Sequence, residues 1–93
     1  MNLFNEEDFG KTISTDLSNY IKINTSRTDF GIASQKSGVG TSTIRDVVYG
    51  YNTLTKSNSK GIEQLLIIAR DNFNSKIKAS KKVNEFLKKH LAA

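Results

Sequence analysis

Between Gly38 and Gly50 the chain reads Val-Gly-Thr-Ser-Thr-Ile-Arg-Asp-Val-Val-Tyr. Ile44, Val47 and Val48 form an apolar stripe at helical spacing. The complementary side carries Gly40, Thr41, Ser42, Arg45, Asp46 and Tyr49. These are small or hydrogen-bonding residues with one guanidinium among them. Such a set can read the edges of base pairs. An Arg donates two parallel hydrogen bonds to guanine O6 and N7, an acid accepts from cytosine N4, and a hydroxyl serves either base. For Arg45 the competing reading is a solvated side chain or an intrahelical pair with Asp46. For Thr41 and Ser42 it is simple capping of the helix they begin.

The elements that must position these residues are two short helices. Thr28 is a cap candidate opening a helix from Asp29 to about Ser37, and Gly38 ends it where glycine enters the left-handed region cheaply. Gly40 and Thr41 open the next helix and Gly50 stops it. Two helices separated by three or four residues, with a Gly between them, form a helix-turn-helix over about residues 28–50. The second helix of such a pair lies in the DNA major groove. Val39, Ile44 and Val47 are spaced to pack the two helices together.

Three further helices are expected around this pair. The first starts at Asn5, with Asp8 at the position of a capping-box partner and Phe4 and Phe9 as a hydrophobic staple. Phe9, Ile13, Leu17, Tyr20 and Ile21 share one face, so the helix is expected to reach about Asn24; Tyr20–Asn24 also alternates like a strand. Residues 51–58 form a polar loop. Asn58 or Ser59 caps a fourth helix with Ile62, Leu65, Leu66 and Ala69 inward, Leu65–Ile68 being readable as a short strand. Asp71–Asn74 reads as a break. A basic helix over about residues 75–91 follows, with Ile77, Val83, Phe86, Leu87 and Leu91 on its apolar side. The expected class is therefore all-α, a single five-helix domain over residues 1–93.

Composition agrees with this scheme. The 93 residues hold no Pro, and Ser, Thr and Asn together number 27, which suits short capped helices. Hydrophobic residues make up 37%, enough for one modest core. Without Cys, and with His90 as the one His, the chain lacks a disulfide scaffold, a thiol nucleophile and any His-cluster metal site. No carboxylate pair sits in an apolar setting, so an enzyme is not expected, nor a cofactor, a metal or a small-molecule substrate. Gly38-x-Gly40 lacks the third Gly and the Lys-Ser or Lys-Thr ending of a phosphate loop. No apolar run is long enough to span a membrane. The acidic start, MNLFNEEDFG, is unlike a signal peptide, which points to the cytoplasm. The net charge of +5 is unevenly distributed. Residues 1–20 are acidic, whereas residues 31–60 and 61–93 are basic, as a polyanion-binding surface requires.

The stretch Gly38–Gly50, continuing through Tyr51-Asn52-Thr53-Leu54 to Asn58, resembles the helix-turn-helix of the phage lambda repressor and Cro-like family. The likeness extends over residues 28–66; elsewhere only the number of helices agrees. It implies a five-helix domain that binds operator DNA, usually as a dimer. It also implies a small transcriptional regulator of phage, plasmid or bacterial origin, acting in the cytoplasm. Carried over by position, Thr41, Ser42, Arg45, Asp46 and Asn52 are the candidate base-contacting residues. Lys36, Tyr49, Thr55, Lys56, Asn58 and Lys60 are the candidate phosphate-contacting residues. The pattern departs from the family at three places. Phe30 stands for the usual Gln, Ser34 for a small Ala (with Ala33 adjacent), and Asp46 brings a negative charge to the groove side.

Two other readings compete with a sequence-specific regulator of double-stranded DNA. One is an interaction module docking an acidic protein, and the other a non-specific architectural DNA binder. The lysines at positions 76, 78, 81, 82, 88 and 89 are either a solvated face or a second phosphate-contacting surface. Val83, Phe86, Leu87 and Leu91 are either core or the seam of a homodimer. His90 is expected to be exposed in the last turn, complementing the helix dipole.

Overall fold

Helix boundaries in this chain follow capping chemistry more closely than apolar periodicity. The structure is a computed structural model that describes residues 3–91. A 3-10 turn at Glu6–Asp8 precedes four α-helices: α1 (Thr15–Asn24), α2 (Arg27–Ser37), α3 (Thr41–Val48) and α4 (Ser59–Leu91). The described residues contain no strand, so the chain is all-α as expected. The described residues form four α-helices, where the periodicity predicted five.

The first difference lies before α1. Asn5 does donate its N–H to Asp8 Oδ2 at 2.8 Å, as the cap pattern predicted. The turn nevertheless stops at once, because Phe9 is extended and Gly10 adopts φ 85°. That left-handed conformation is cheap only for glycine. The chain then exchanges intrahelical bonds for two bonds to the loop before α4. Gly10 N–H donates to the Leu54 carbonyl, and Leu54 N–H donates to the Lys11 carbonyl, each at 2.8 Å. Phe4, Phe9 and Ile13 are thereby set against the edge of the core. Ser14 restarts the helix by accepting from Leu17 N–H at 3.2 Å.

The second difference is the absence of a break at Asp71–Asn74; α4 is one helix of 33 residues. Asn72 does not turn its amide on its own backbone. It donates to the Asn24 carbonyl at 2.8 Å and to Asp29 Oδ2 at 3.2 Å. One turn later Lys76 Nζ reaches the Ile23 carbonyl at 3.2 Å and Asn24 Oδ1 at 3.4 Å. The last carbonyls of a helix have no intrahelical partner, and α4 supplies partners for those of α1. Residues that read as a helix break therefore cap a different helix.

A smaller correction concerns α2. It begins at Arg27, two residues before the expected Asp29, because Ser26 rather than Thr28 caps it. Asp29 N–H donates to Ser26 Oγ and Ser26 N–H donates to Asp29 Oδ2, a reciprocal capping box.

The core is built from Ile21 of α1, Ala33 of α2, Ile44, Val47 and Val48 of α3, Leu54 of the loop, and Ile62, Leu65 and Ala69 of α4, all buried. Ala33, not Ser34, fills the small-residue position where α2 meets the core. Ser18 is buried and donates its hydroxyl to the Val48 carbonyl at 2.6 Å, tying α1 to the end of α3. At Gly61 a Cβ would lie 2.7 Å from Ile44 Cγ1 and 3.2 Å from Val39 Cβ, so α4 crosses α3 at the closest approach a side chain would forbid. The molecule measures 57 × 25 × 24 Å, and the length comes from α4, whose residues 73–91 are all exposed.

Candidate nucleic-acid interface

The α2–turn–α3 unit is closed by Gly38, which takes φ 76° and donates its N–H to the Ser34 carbonyl at 2.9 Å. Val39 packs inward against the core. Ile44, Val47 and Val48 are essentially inaccessible to solvent. Burial of these three sets the rotation of α3 about its axis. Ser42, Arg45, Asp46 and Tyr49 are consequently exposed, and Thr41 is half-buried.

The local alternatives for these side chains are not realised. The N-cap of α3 is Gly40, with no side chain capping the helix, so Thr41 and Ser42 are not cap residues. Arg45 and Asp46 do not pair. Among the described residues the one ion pair within 4.0 Å joins Arg70 and Asp71, at 3.5 Å. The Arg45 guanidinium and the Asp46 carboxylate both face solvent.

Beside the exposed face of α3 lies a cleft of about 360 Å³, lined by Lys22, Thr25, Ser26, Arg27, Phe30, Thr41, Arg45 and Tyr49. Its rim carries three cations and no carboxylate. Lys22 Nζ sits 4.6 Å from the centre of the Tyr49 ring, a cation–π contact that holds the ammonium over the cleft. Lys22 and Arg27 were not legible as site residues. Lys22 closes α1 and Arg27 opens α2, and only the fold brings them beside Arg45. Phe30, a departure from the resembled family, forms part of the cleft wall and packs on the core edge.

The remaining candidates divide. Asn52 is exposed, its Oδ1 accepting from Thr53 N–H at 3.0 Å. The N–H groups of Tyr51 and Asn52 both donate to the Asp46 carbonyl, wrapping the loop over the end of α3. Tyr51, unmarked by the sequence reading, is 85% exposed there. Lys36 is exposed at the end of α2. Lys56 and Lys60 are exposed, but they line a separate hollow with Phe4, Phe9, Glu6 and Glu63, and the two carboxylates oppose a phosphate there.

Thr55 and Asn58 do not fit the contact role predicted for them. Asn58 is 5% exposed, donates to the Thr53 carbonyl and accepts from Thr55 N–H. Thr55 Oγ1 in turn accepts from Asn58 N–H at 3.1 Å. Both side chains are spent on bracing the loop that leads into α4.

Val83, Phe86, Leu87 and Leu91 are exposed, so none of them is core. His90 is exposed in the last turn of α4 with Lys88 and Lys89, and its ring lies 4.4 Å from that of Phe86. No described helix is long and apolar enough to cross a membrane. Comparison of the chain with protein-family models, with curated proteins and with solved structures finds no match in any of the three.

Proposed function

We propose that the chain is a sequence-specific double-stranded DNA-binding protein, a small repressor-like regulator that reads the major groove with α3. The observation that carries this reading is the pairing of an exposed, uncommitted polar face on α3 with a cationic cleft beside it. Arg45, Ser42 and Thr41 offer groups to base edges, and Asn52 extends the set from the following loop. Lys22, Arg27 and Tyr49 supply the phosphate contacts that set register and orientation, with Lys36 at the flank. Asp46 accepts from cytosine N4 and rejects bases that present only acceptors at that point.

The helix-turn-helix reading is that of the lambda repressor and Cro-like family, set in a four-helix frame in which the expected last two helices are fused. The test is selection of bound duplexes from a random pool, followed by salt titration of the winners against scrambled duplexes. A regulator shows a large affinity ratio for one sequence. A steep salt slope without preference would make it an architectural binder. Absence of binding at low salt would remove the DNA reading and leave the acidic-protein partner.

A further inference from the structure

Three cations line the cleft beside α3, and each comes from a different helix. Lys22 lies near the end of α1, Arg27 opens α2, and Arg45 stands in the middle of α3. Among the described residues none of the three has a carboxylate within 4.0 Å, and no carboxylate lines the cleft. A backbone phosphodiester brings one negative charge to such a place. A phosphomonoester brings about −1.5 to −2 at neutral pH, with three strong acceptor oxygens. Three cations therefore match a terminal phosphate better than a diester.

The donors available agree with an anion. Thr25 Oγ1 already donates to the Ile21 carbonyl at 2.7 Å, and Ser26 Oγ is engaged with Asp29. Thr41 is not a cap residue, so its hydroxyl is left to the cleft. Gly40 caps α3 with no side chain, and the N–H groups of an uncapped first turn favour negative charge. The walls suit a flat ring. Phe30 offers no donor to a phosphate, yet its half-buried ring packs on the core edge and forms one wall. The Tyr49 ring, 49% exposed, forms another. Bases stack on such aromatic faces.

We infer that this cleft binds a nucleoside monophosphate, with its phosphate among Lys22, Arg27 and Arg45 and its base against Phe30, and that the bound nucleotide displaces DNA. The volume of about 360 Å³ lies at the small end of the range for small-molecule sites, about 300–1,000 Å³, which suits one nucleotide rather than a strand. Arg45 links the two ligands. Its guanidinium forks onto the phosphate oxygens when the cleft is filled, and it is then withdrawn from base edges. Displacement rests on the DNA reading above; binding of the nucleotide does not. A 5′-phosphate at the end of a strand presents the same chemistry, so the two sources must be separated.

The test is an amide-resolved NMR titration of the full chain with adenosine 5′-monophosphate at fixed ionic strength. Shifts are expected at Arg27, Phe30, Thr41, Arg45 and Tyr49, and not along residues 78–91. Adenosine alone and inorganic phosphate alone bind more weakly than the nucleotide. Lys22→Ala and Arg45→Ala, both at exposed positions, each weaken the nucleotide by about tenfold, as loss of a charge-assisted hydrogen bond does. Lys78→Ala, on the arm, removes the same charge and changes affinity by less than about twofold. Equal effects of Lys22→Ala and Lys78→Ala would reduce the site to general charge and overturn it. Inorganic phosphate binding as well as the nucleotide would overturn the place given to the base. A short duplex with 5′-phosphates that displaces the nucleotide better than its hydroxyl-ended twin would assign the cleft to strand ends instead. On a selected duplex, saturating nucleotide raises the apparent dissociation constant at fixed ionic strength, and simultaneous binding of both would overturn displacement. If no duplex binds at all, the DNA reading fails while the nucleotide titration still decides the cleft.

Discussion

Arg45 lies on the exposed side of α3, unpaired with its neighbour Asp46 and flanked across the cleft by Lys22 and Arg27. Under the DNA reading these cations have different jobs, and mutation separates them. Arg45→Ala relaxes preference at one base pair, at a cost of about 1–3 kcal/mol of discrimination. Lys22→Ala and Arg27→Ala weaken all duplexes alike and each lower the salt slope by about one. Lys60→Ala leaves the slope unchanged, because its hollow includes Glu6 and Glu63. Titration of the four variants on matched and mismatched duplexes checks all of this. If Arg45→Ala and Lys22→Ala behave identically, the division between base and phosphate contacts is wrong. A second residue-scale prediction concerns stability. Ser18→Ala strands the Val48 carbonyl in the core and lowers the unfolding free energy by about 1–3 kcal/mol, measured by urea denaturation.

The elements are joined by contacts that replace missing intrahelical bonds. Asn72 and Lys76, one turn apart on α4, complete the end of α1, which is why α4 passes unbroken through residues that resemble a terminus. Asn72→Ala removes two of these bonds and lowers stability by about 1–2 kcal/mol while leaving the length of α4 intact, a result that circular dichroism and urea unfolding together distinguish from a helix break. Gly61 marks the crossing of α4 over α3. In an open helix, Gly→Ala would stabilise by up to about 1 kcal/mol. Here the added methyl meets the fully buried Ile44 and the β-branched Val39. Gly61→Ala therefore destabilises by about 1–3 kcal/mol, and under the DNA reading, because the strain falls on Ile44, it also turns α3 and weakens specific binding. A more stable variant would show that the crossing can widen.

At the scale of the whole molecule, a body built on one small core carries an arm as long as that body is wide. Charge divides in the same way, with the acidic 3-10 turn on the body and five lysines along the arm beyond Ile77. Beyond Lys76 the described residues of the arm make no hydrogen bond to the body, so amide exchange should separate the two halves of α4. Residues 62–72 are protected at any protein concentration, because they pack in the core. Residues 80–91 exchange much faster, as an exposed helix without packing partners does. Protection of residues 80–91 equal to that of residues 62–72 would mean that the arm is as stable as the core-packed half.

Composition, the glycines and the apolar stripes determined the class of fold, the α2–turn–α3 unit and the exposed face of α3. These are local properties. A left-handed Gly38 needs no tertiary partner, and the buried side of an eight-residue helix implies its opposite side. What lay outside the sequence's reach was non-local. Whether Asn72 ends its own helix or caps another depends on where α1 stops in space. Whether Asn58 touches a ligand or braces a loop depends on burial that spacing does not express. Lys22 and Arg27 became neighbours of Arg45 only when α1 and α2 folded against α3. The sequence by itself determined which chemical groups the chain has to offer; the tertiary structure decided which of them are free, because hydrogen bonds between distant elements consume some and leave others facing solvent.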